Sequence, residues 1–138
     1  MKRSLALSLL VITAVSVVSA ATTTTAGGLE TPTLVHPHGN YNYGGQIGKS
    51  YTFQWKAVSG ATRYTASFQK AIRTPELKLI GWGPCAPGDI TYGTQQAPVS
   101  GVVHQSFVFH KPGTYRWRVT AWTPQGETHS NYCIFTIR

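Results

Sequence analysis

Alternation of apolar and polar side chains is most regular between residues 113 and 122. The apolar positions in this segment are Tyr115, Trp117, Val119 and Ala121. A period of two is typical of a β-strand with one buried face and one face in solvent. Turn sequences at residues 111–114 and 124–127 flank the segment. The pattern therefore predicts a central strand whose Trp117 lies in the core.

Four other segments show the same period: residues 50–58, 63–69, 102–109 and 131–138. Each predicts a strand, because every second position carries a mainly aromatic or aliphatic side chain. The predicted inward residues are Tyr51, Phe53, Trp55, Tyr64, Ala66, Phe68, Val103, Gln105, Phe107, Phe109, Cys133, Phe135 and Ile137.

The remaining segments have weaker patterns. Residues 33–36 lie between two prolines, which predicts an edge strand because proline cannot donate a ladder hydrogen bond. Residues 77–82 and 90–92 are predicted as short strands, and residues 81–88 and 95–101 as loops. Since no segment of the mature chain has a helical period of 3.6, we predict an all-β sandwich of seven short strands.

Five pieces of the chain carry a resemblance to a known fold family. They are residues 31–39, 51–57, 60–66, 112–121 and 130–137. In this order they resemble strands of the fibronectin type III and immunoglobulin-like domains of secreted bacterial proteins, over residues 31–138. The resemblance implies a seven-stranded sandwich with a spacer, adhesion or binding role. It also implies that the Tyr115 hydroxyl ties the preceding corner to the backbone.

Residues 1–20 are typical of a cleaved signal peptide. Lys2 and Arg3 precede an apolar run that ends in the small-residue site Val18-Ser-Ala20. The apolar core of about 14 residues is short for a membrane-spanning helix, which needs roughly 20. Residues 21–30 are predicted to be a flexible lead. We therefore predict a secreted or periplasmic protein without a membrane span in its mature form.

The charge balance of the mature chain is basic. Without Lys2 and Arg3, ten lysines and arginines face four acidic residues, a net charge of +6. This balance suits weak attraction to anionic polymers outside the cell, but a solubilising surface charge is the preferred interpretation. Nucleic acid is not an expected partner of an exported protein.

The two cysteines, Cys85 and Cys133, predict one disulfide, because a small even number favours a bridge in an oxidising compartment. The bridge would close a loop of about 49 residues and stabilise the fold by about 4 kcal/mol. A zinc site would need two more ligands, and the chain has no Cys-x-x-Cys pair.

No catalytic site is predicted. Glu76 and the single aspartate, Asp89, share one irregular stretch, but nothing else indicates the facing carboxylates of a glycosidase. Ser130 and His129 could form a triad with Asp89 on paper. Adjacent strand residues point to opposite faces, however, so this triad is not expected.

No metal or cofactor is predicted either. His36 and His38 form a His-x-His pair whose spacing suits copper or zinc. Pro37 interrupts the pair and no third ligand is evident, so exposed edge histidines are the preferred interpretation.

The outward positions of the predicted strands form a candidate ligand-binding surface. Its members are Trp122, Tyr132, Arg116, Arg118 and Arg63. Arginine recognises carboxylate and phosphate groups, and aromatic rings stack on sugars or bases. Two alternatives stay open: these pairs only stabilise the sheet, or residues 73–101 cover the face. A weaker candidate set lies in loops and comprises Tyr41, Tyr43, Trp82 and Tyr92, in which Trp82 could instead pack on the disulfide.

The preferred function is a secreted, non-catalytic β-sandwich that binds or adheres to a protein partner or surface ligand. The first alternative is a carbohydrate- or envelope-polymer-binding module that uses the aromatic and arginine residues. The second alternative is a small secreted hydrolase or metal-binding protein.

Overall fold

The computed structural model describes residues 29–39 and 44–138. These residues form two β-sheets that share one hydrophobic core. The eleven strands of the described residues are β1 (Leu34–His36), β2 (Gly44–Gly45), β3 (Ser50–Lys56), β4 (Arg63–Arg73), β5 (Leu79–Pro84), β6 (Ile90–Tyr92), β7 (Gln96–Val99), β8 (Val102–Phe109), β9 (Gly113–Thr123), β10 (Gly126–His129) and β11 (Cys133–Ile137).

The first sheet has five strands in the order β1–β3–β8–β6, with β7 also paired to β8. The second sheet has six strands in the order β2–β11–β9–β4–β5, with β10 also paired to β9. All pairs are antiparallel except the short parallel pair of β2 with β11. The predicted all-β sandwich is confirmed, and β9 lies in the interior of its sheet. The predicted number of seven strands is wrong, because the described residues form eleven.

Most of the residues predicted to point inward form the core, whereas Tyr51, Tyr64 and Gln105 are only partly buried. The core residues on β3, β4, β8, β9 and β11 are Phe53, Trp55, Ala66, Phe68, Val103, Phe107, Phe109, Tyr115, Trp117, Val119, Cys133, Phe135 and Ile137, all buried. Trp55 of the first sheet meets Trp117 of the second at a centroid distance of 6.2 Å. Full burial of one large apolar side chain contributes about 1.5–3 kcal/mol, so this aromatic layer dominates the stability of the sandwich.

The corner before β9 is closed by Tyr115. Its ring is fully buried, and its hydroxyl donates a 2.7 Å hydrogen bond to the carbonyl oxygen of Lys111. The contact that the family resemblance implied is therefore present.

Several short strands were missed or misplaced by the sequence pattern. Residues 77–82 were predicted as a strand and residues 81–88 as a loop, whereas β5 runs from Leu79 to Pro84. Residues 95–101 were predicted as a connection, but β7 pairs there with β8. Both β2 and β10 were also missed. These strands are short and contain glycine or proline, so their sequences lack an apolar alternation.

The predicted disulfide between Cys85 and Cys133 is wrong, because both thiols are free. Cys133 begins β11, whereas Cys85 follows the end of β5, and β9 and β4 lie between those strands. Neighbouring strands are about 4.8 Å apart, so the three steps from β11 to β5 amount to about 14 Å. A disulfide requires Cα atoms within about 7 Å.

The predicted signal peptide, residues 21–28 of the predicted lead, and both Tyr41 and Tyr43 lie outside the described residues. Within residues 29–39 and 44–138, no helix is long and apolar enough to cross a membrane.

Candidate binding face on the six-stranded sheet

The predicted binding residues come together on the outer side of the six-stranded sheet. Their orientation follows from the alternation in β9, because Tyr115 and Trp117 point inward and the intervening arginines point outward. The register of β4 with β9 sets Arg63 opposite Trp122 and Gln69 opposite Arg116. We call the outward set Trp82, Arg116, Tyr132, Arg118, Trp122 and Arg63 the arginine–aromatic face.

Arg116 lies at the centre of this face. Its guanidinium carbon is 4.0 Å from the ring centroid of Tyr132 and 4.9 Å from that of Trp82. Its Nε donates a 2.7 Å hydrogen bond to Oε1 of Gln69. The side chain is thus held by two rings and one amide, from three neighbouring strands or their ends. The guanidinium retains further N–H donors, because an arginine carries five.

The other two arginines also contact rings. The guanidinium of Arg118 is 5.0 Å from the Tyr132 ring centroid. That of Arg63 is 4.3 Å from the ring centroid of Trp122, whose indole nitrogen donates to Oγ1 of Thr65 at 3.1 Å. Cation–π contacts of this kind contribute about 0.5–1 kcal/mol each at exposed sites.

The carboxylates of the chain do not neutralise these arginines. Within the described residues, the one pair at salt-bridge distance is His129 with Glu127, at 3.7 Å. Glu30 accepts a hydrogen bond from the backbone of Ser59. The buried Asp89 accepts one from the backbone of Ala86. The face therefore presents three guanidinium groups whose contacts are rings and an amide.

Trp82 was not predicted as part of this face. Sequence analysis grouped it with Tyr92 as a candidate loop aromatic, although both residues also fell in predicted short strands. Trp82 lies in β5 and Tyr92 in β6 of the other sheet. Tyr92 packs on Phe68 and Phe107 at the border of the core. No alternating pattern marks β5, so its position beside β4 could not be obtained from local sequence.

The polar residues considered for catalysis have structural partners. Ser130 is buried, accepts a hydrogen bond from the backbone N–H of Val119 and donates one to the carbonyl of Asn131. Nδ1 of His129 lies 2.8 Å from Oγ1 of Thr120. Glu76 is exposed in the turn between β4 and β5, whereas Asp89 is buried. The described part of the chain holds no group of three metal-ligating side chains.

Burial raises the pKa of both thiols. For Cys85 the charge of Asp89 adds to this effect and Lys70 opposes it. For Cys133 the neighbouring Trp117 indole opposes it. A thiol with a raised pKa is a weak nucleophile, because only the thiolate reacts.

A groove of about 440 Å³ borders the face at Tyr132. It is lined by the segment before β1, by His38 and Gly39, and by His129 and Asn131. Tyr132 is therefore shared between the groove and the arginine–aromatic face.

No protein-family model and no curated protein matches this chain. Solved immunoglobulin domains are similar to it at a distance. The RIG-5 IG1 homodimer structure is 13% identical with a TM-score of 0.38, and murine CRIg is 16% identical with a TM-score of 0.37. Each of these two comparisons covers 79% of this chain and 99% of the other. The structure of Dpr1 IG1 bound to DIP-eta IG1 is 10% identical with a TM-score of 0.36, over 78% of this chain and 95% of the other. Similarity at this level concerns the sandwich architecture alone.

Proposed function

We propose that this protein is a secreted, non-catalytic binding domain that recognises an acidic protein surface through its arginine–aromatic face. The observation that carries the proposal is the set of ring contacts made by Arg63, Arg116 and Arg118, without a carboxylate partner for any of them in the described part of the chain.

The ring contacts favour binding because they restrict long side chains before a partner arrives. Ordering a free arginine at an interface costs about 0.5–1.5 kcal/mol. Arg116 is already held by Trp82, Tyr132 and Gln69. Tryptophan, tyrosine and arginine are also the residues that most often dominate the binding free energy of protein interfaces.

The charge of the face indicates an acidic partner. The whole chain has a formal net charge of +8 and only four acidic residues. Guanidinium groups form paired hydrogen bonds with carboxylates, and complementary charge accelerates association. An acidic protein surface fits both properties.

A polysaccharide is the alternative partner, and the geometry favours it less. A sugar that stacks on tyrosine or tryptophan requires an open ring face. The rings of Tyr132, Trp122 and Trp82 are each contacted by a guanidinium. A guanidinium already competes for each ring, so an acidic polysaccharide would bind mainly through its charges.

The positions of the four acidic residues support a role without catalysis. Glu76 is exposed between β4 and β5, and Asp89 is buried before β6. The Glu30 carbonyl accepts a hydrogen bond from Thr128, next to Glu127 in β10, but the Glu30 carboxylate accepts one from the backbone of Ser59 and Glu127 faces His129. Hydrolysis of glycosides needs two carboxyl groups about 5–10 Å apart across a substrate bond. The sequence features of the first 20 residues support export.

The proposal is tested with a fluorescein-labelled glutamate-rich peptide, a lysine-rich peptide of the same length, and heparin. We expect Arg118→Gln to weaken binding of the acidic peptide about tenfold, because a charge-assisted hydrogen bond contributes about 1.5–3 kcal/mol. The matched control is Lys56→Gln, which removes one charge from β3 in the other sheet. It should change the affinity less than about twofold, because it leaves the face intact.

Equal weakening by both variants would refute the proposal, since only the total charge would then matter. Heparin binding without acidic-peptide binding would indicate the polysaccharide alternative. No binding to any of the three probes at an ionic strength of about 0.05 M would refute both.

A further inference from the structure

The turn of the β4–β5 hairpin (residues 70–84) exposes an unusual amount of apolar surface. Leu77 is 74% exposed, Ile80 63%, Ile72 47% and Leu79 42%. They lie within nine consecutive residues, whereas most other large apolar side chains of residues 29–39 and 44–138 are buried or half-buried. Large apolar patches on a protein surface are typically interaction sites.

Leu77 is held in an unfavourable backbone conformation. Its φ is 66°, in the left-handed region, which costs a side-chain-bearing residue about 1–2 kcal/mol. Three hydrogen bonds fix this turn: the Leu77 amide to the Thr74 carbonyl, the Thr74 amide to the Lys78 carbonyl, and Nη1 of Arg73 to the Leu77 carbonyl, each 2.9 Å. Glycine or asparagine would fit better, so the fold does not explain a leucine here.

Basic residues flank the apolar tip. Arg73 and Lys78 are exposed on either side of Leu77, and Lys70 lies further along β4. Glu76 is the one acidic residue in the hairpin. Trp82 follows in β5, on the arginine–aromatic face. The hairpin therefore has apolar side chains at its tip, cations around them and a tryptophan behind them. This order matches the layers of an anionic bilayer surface.

The edge of β5 is poorly suited to a protein strand. The register of β4 with β5 is interrupted between Ile72 and Arg73, and β5 ends at Pro84. Irregular pairing and proline both discourage strand addition at a sheet edge. The exposed leucines and isoleucines therefore favour a partner that covers side chains without hydrogen bonding to the backbone of β5.

We propose that the tip of this hairpin inserts into the surface of a bilayer that contains anionic lipid. Leu77, Leu79 and Ile80 would enter the region below the headgroups. Lys78 and the remaining donors of Arg73 would contact lipid phosphates. Apart from Trp82, which the two surfaces share, this inference does not depend on the arginine–aromatic face.

The test is co-sedimentation of the chain without residues 1–20 with phosphatidylcholine vesicles, with or without about 30 mol % phosphatidylglycerol. We expect binding to the anionic vesicles. Leu77→Asn should weaken it about tenfold, because it removes one inserted apolar side chain. Asparagine tolerates the left-handed conformation, so this variant should remain folded, with an unchanged or higher Tm. Lys78→Gln should weaken binding about fivefold, from the loss of one lipid-facing charge.

The matched control is Val99→Asn. Val99 is 66% exposed and lies in β7 of the other sheet, so its replacement should change vesicle binding less than about twofold. Arg118→Gln should likewise leave vesicle binding within about twofold, although it weakens binding of the acidic peptide. The two proposals can therefore fail separately.

Absence of binding to anionic vesicles would overturn the inference. So would vesicle binding that Leu77→Asn leaves unchanged, because general charge attraction would then explain it. If Leu77→Asn abolishes binding of the acidic peptide and vesicles are not bound, the tip is a protein-docking element and the lipid assignment is wrong.

Discussion

Replacement of Tyr115 by phenylalanine isolates one hydrogen bond in the core. The ring is fully buried and its hydroxyl donates to the Lys111 carbonyl at 2.7 Å. Phenylalanine preserves the ring contacts with Phe109 and Phe135, at centroid distances of 5.2 and 5.8 Å. The variant therefore removes the tie between β9 and the preceding turn and leaves the packing in place.

The expected loss of stability is about 1.5 kcal/mol, the upper end for a neutral hydrogen bond, because the carbonyl of Lys111 loses its donor. In a domain of this size the loss corresponds to a decrease in Tm of roughly 5–10 °C. A loss above about 3 kcal/mol would mean that the turn unfolds as a whole.

The same variant has a defined pH dependence. Burial, and then the charges of Cys85 and Asp89, raise the pKa of Tyr115 from 10.0 to about 12. The folded state therefore holds this proton more tightly than the unfolded state does. The hydroxyl contributes fully below pH 10, and its contribution is lost as the pH rises towards about 12. The stability difference between the wild type and Tyr115→Phe should shrink over that interval.

Urea unfolding followed by tryptophan fluorescence measures both effects. The control is Tyr92→Phe, whose side chain is 52% exposed and whose replacement should change stability by less than about 0.5 kcal/mol. The reasoning fails if Tyr115→Phe is as stable as the wild type near neutral pH. It also fails if the difference between the two grows above pH 10.

Three further predictions concern the thiols, the central arginine and a buried serine. A reductant should leave Tm unchanged, and the thiols should react with Ellman's reagent slowly until the protein unfolds. A stability loss of about 4 kcal/mol on reduction would instead reveal a disulfide. Arg116→Met should lower the free energy of unfolding by about 1–2 kcal/mol, and the control Lys56→Met should lower it by less than about 0.5 kcal/mol. Equal effects of the two variants would show that the ring contacts of Arg116 contribute nothing to stability. Ser130→Ala should destabilise the fold by about 2 kcal/mol, since the backbone N–H of Val119 loses its acceptor; an unchanged urea midpoint would contradict this.

The sequence predicted the fold well wherever a strand has one apolar face. In β9 the alternation around Trp117 identified the buried side, and the same reasoning gave the outward arginines that the structure brings together. Local alternation reports which way a side chain points. It contains no information about which strand lies next to it.

Strand order accounts for the main errors. Cys85 is partly buried and Cys133 fully buried, and both lie close to the core. Strands β4 and β9 nevertheless lie between them. Trp82 was not assigned to the arginine–aromatic face, because its contact with Arg116 depends on the pairing of β4 with both β5 and β9. Neither the number of cysteines nor the spacing of apolar residues indicates which strands pair.

The pairing of β9 with β4 also determines how fast the chain can fold. Thr62, at the start of this pairing, bonds to the carbonyl of Trp122 across 60 residues of sequence. A large loop has to close before the contacts between these two strands can stabilise it. Proteins dominated by such contacts fold in milliseconds to seconds. The first half of the chain therefore has to wait for β9, and its aromatic residues stay exposed during that delay.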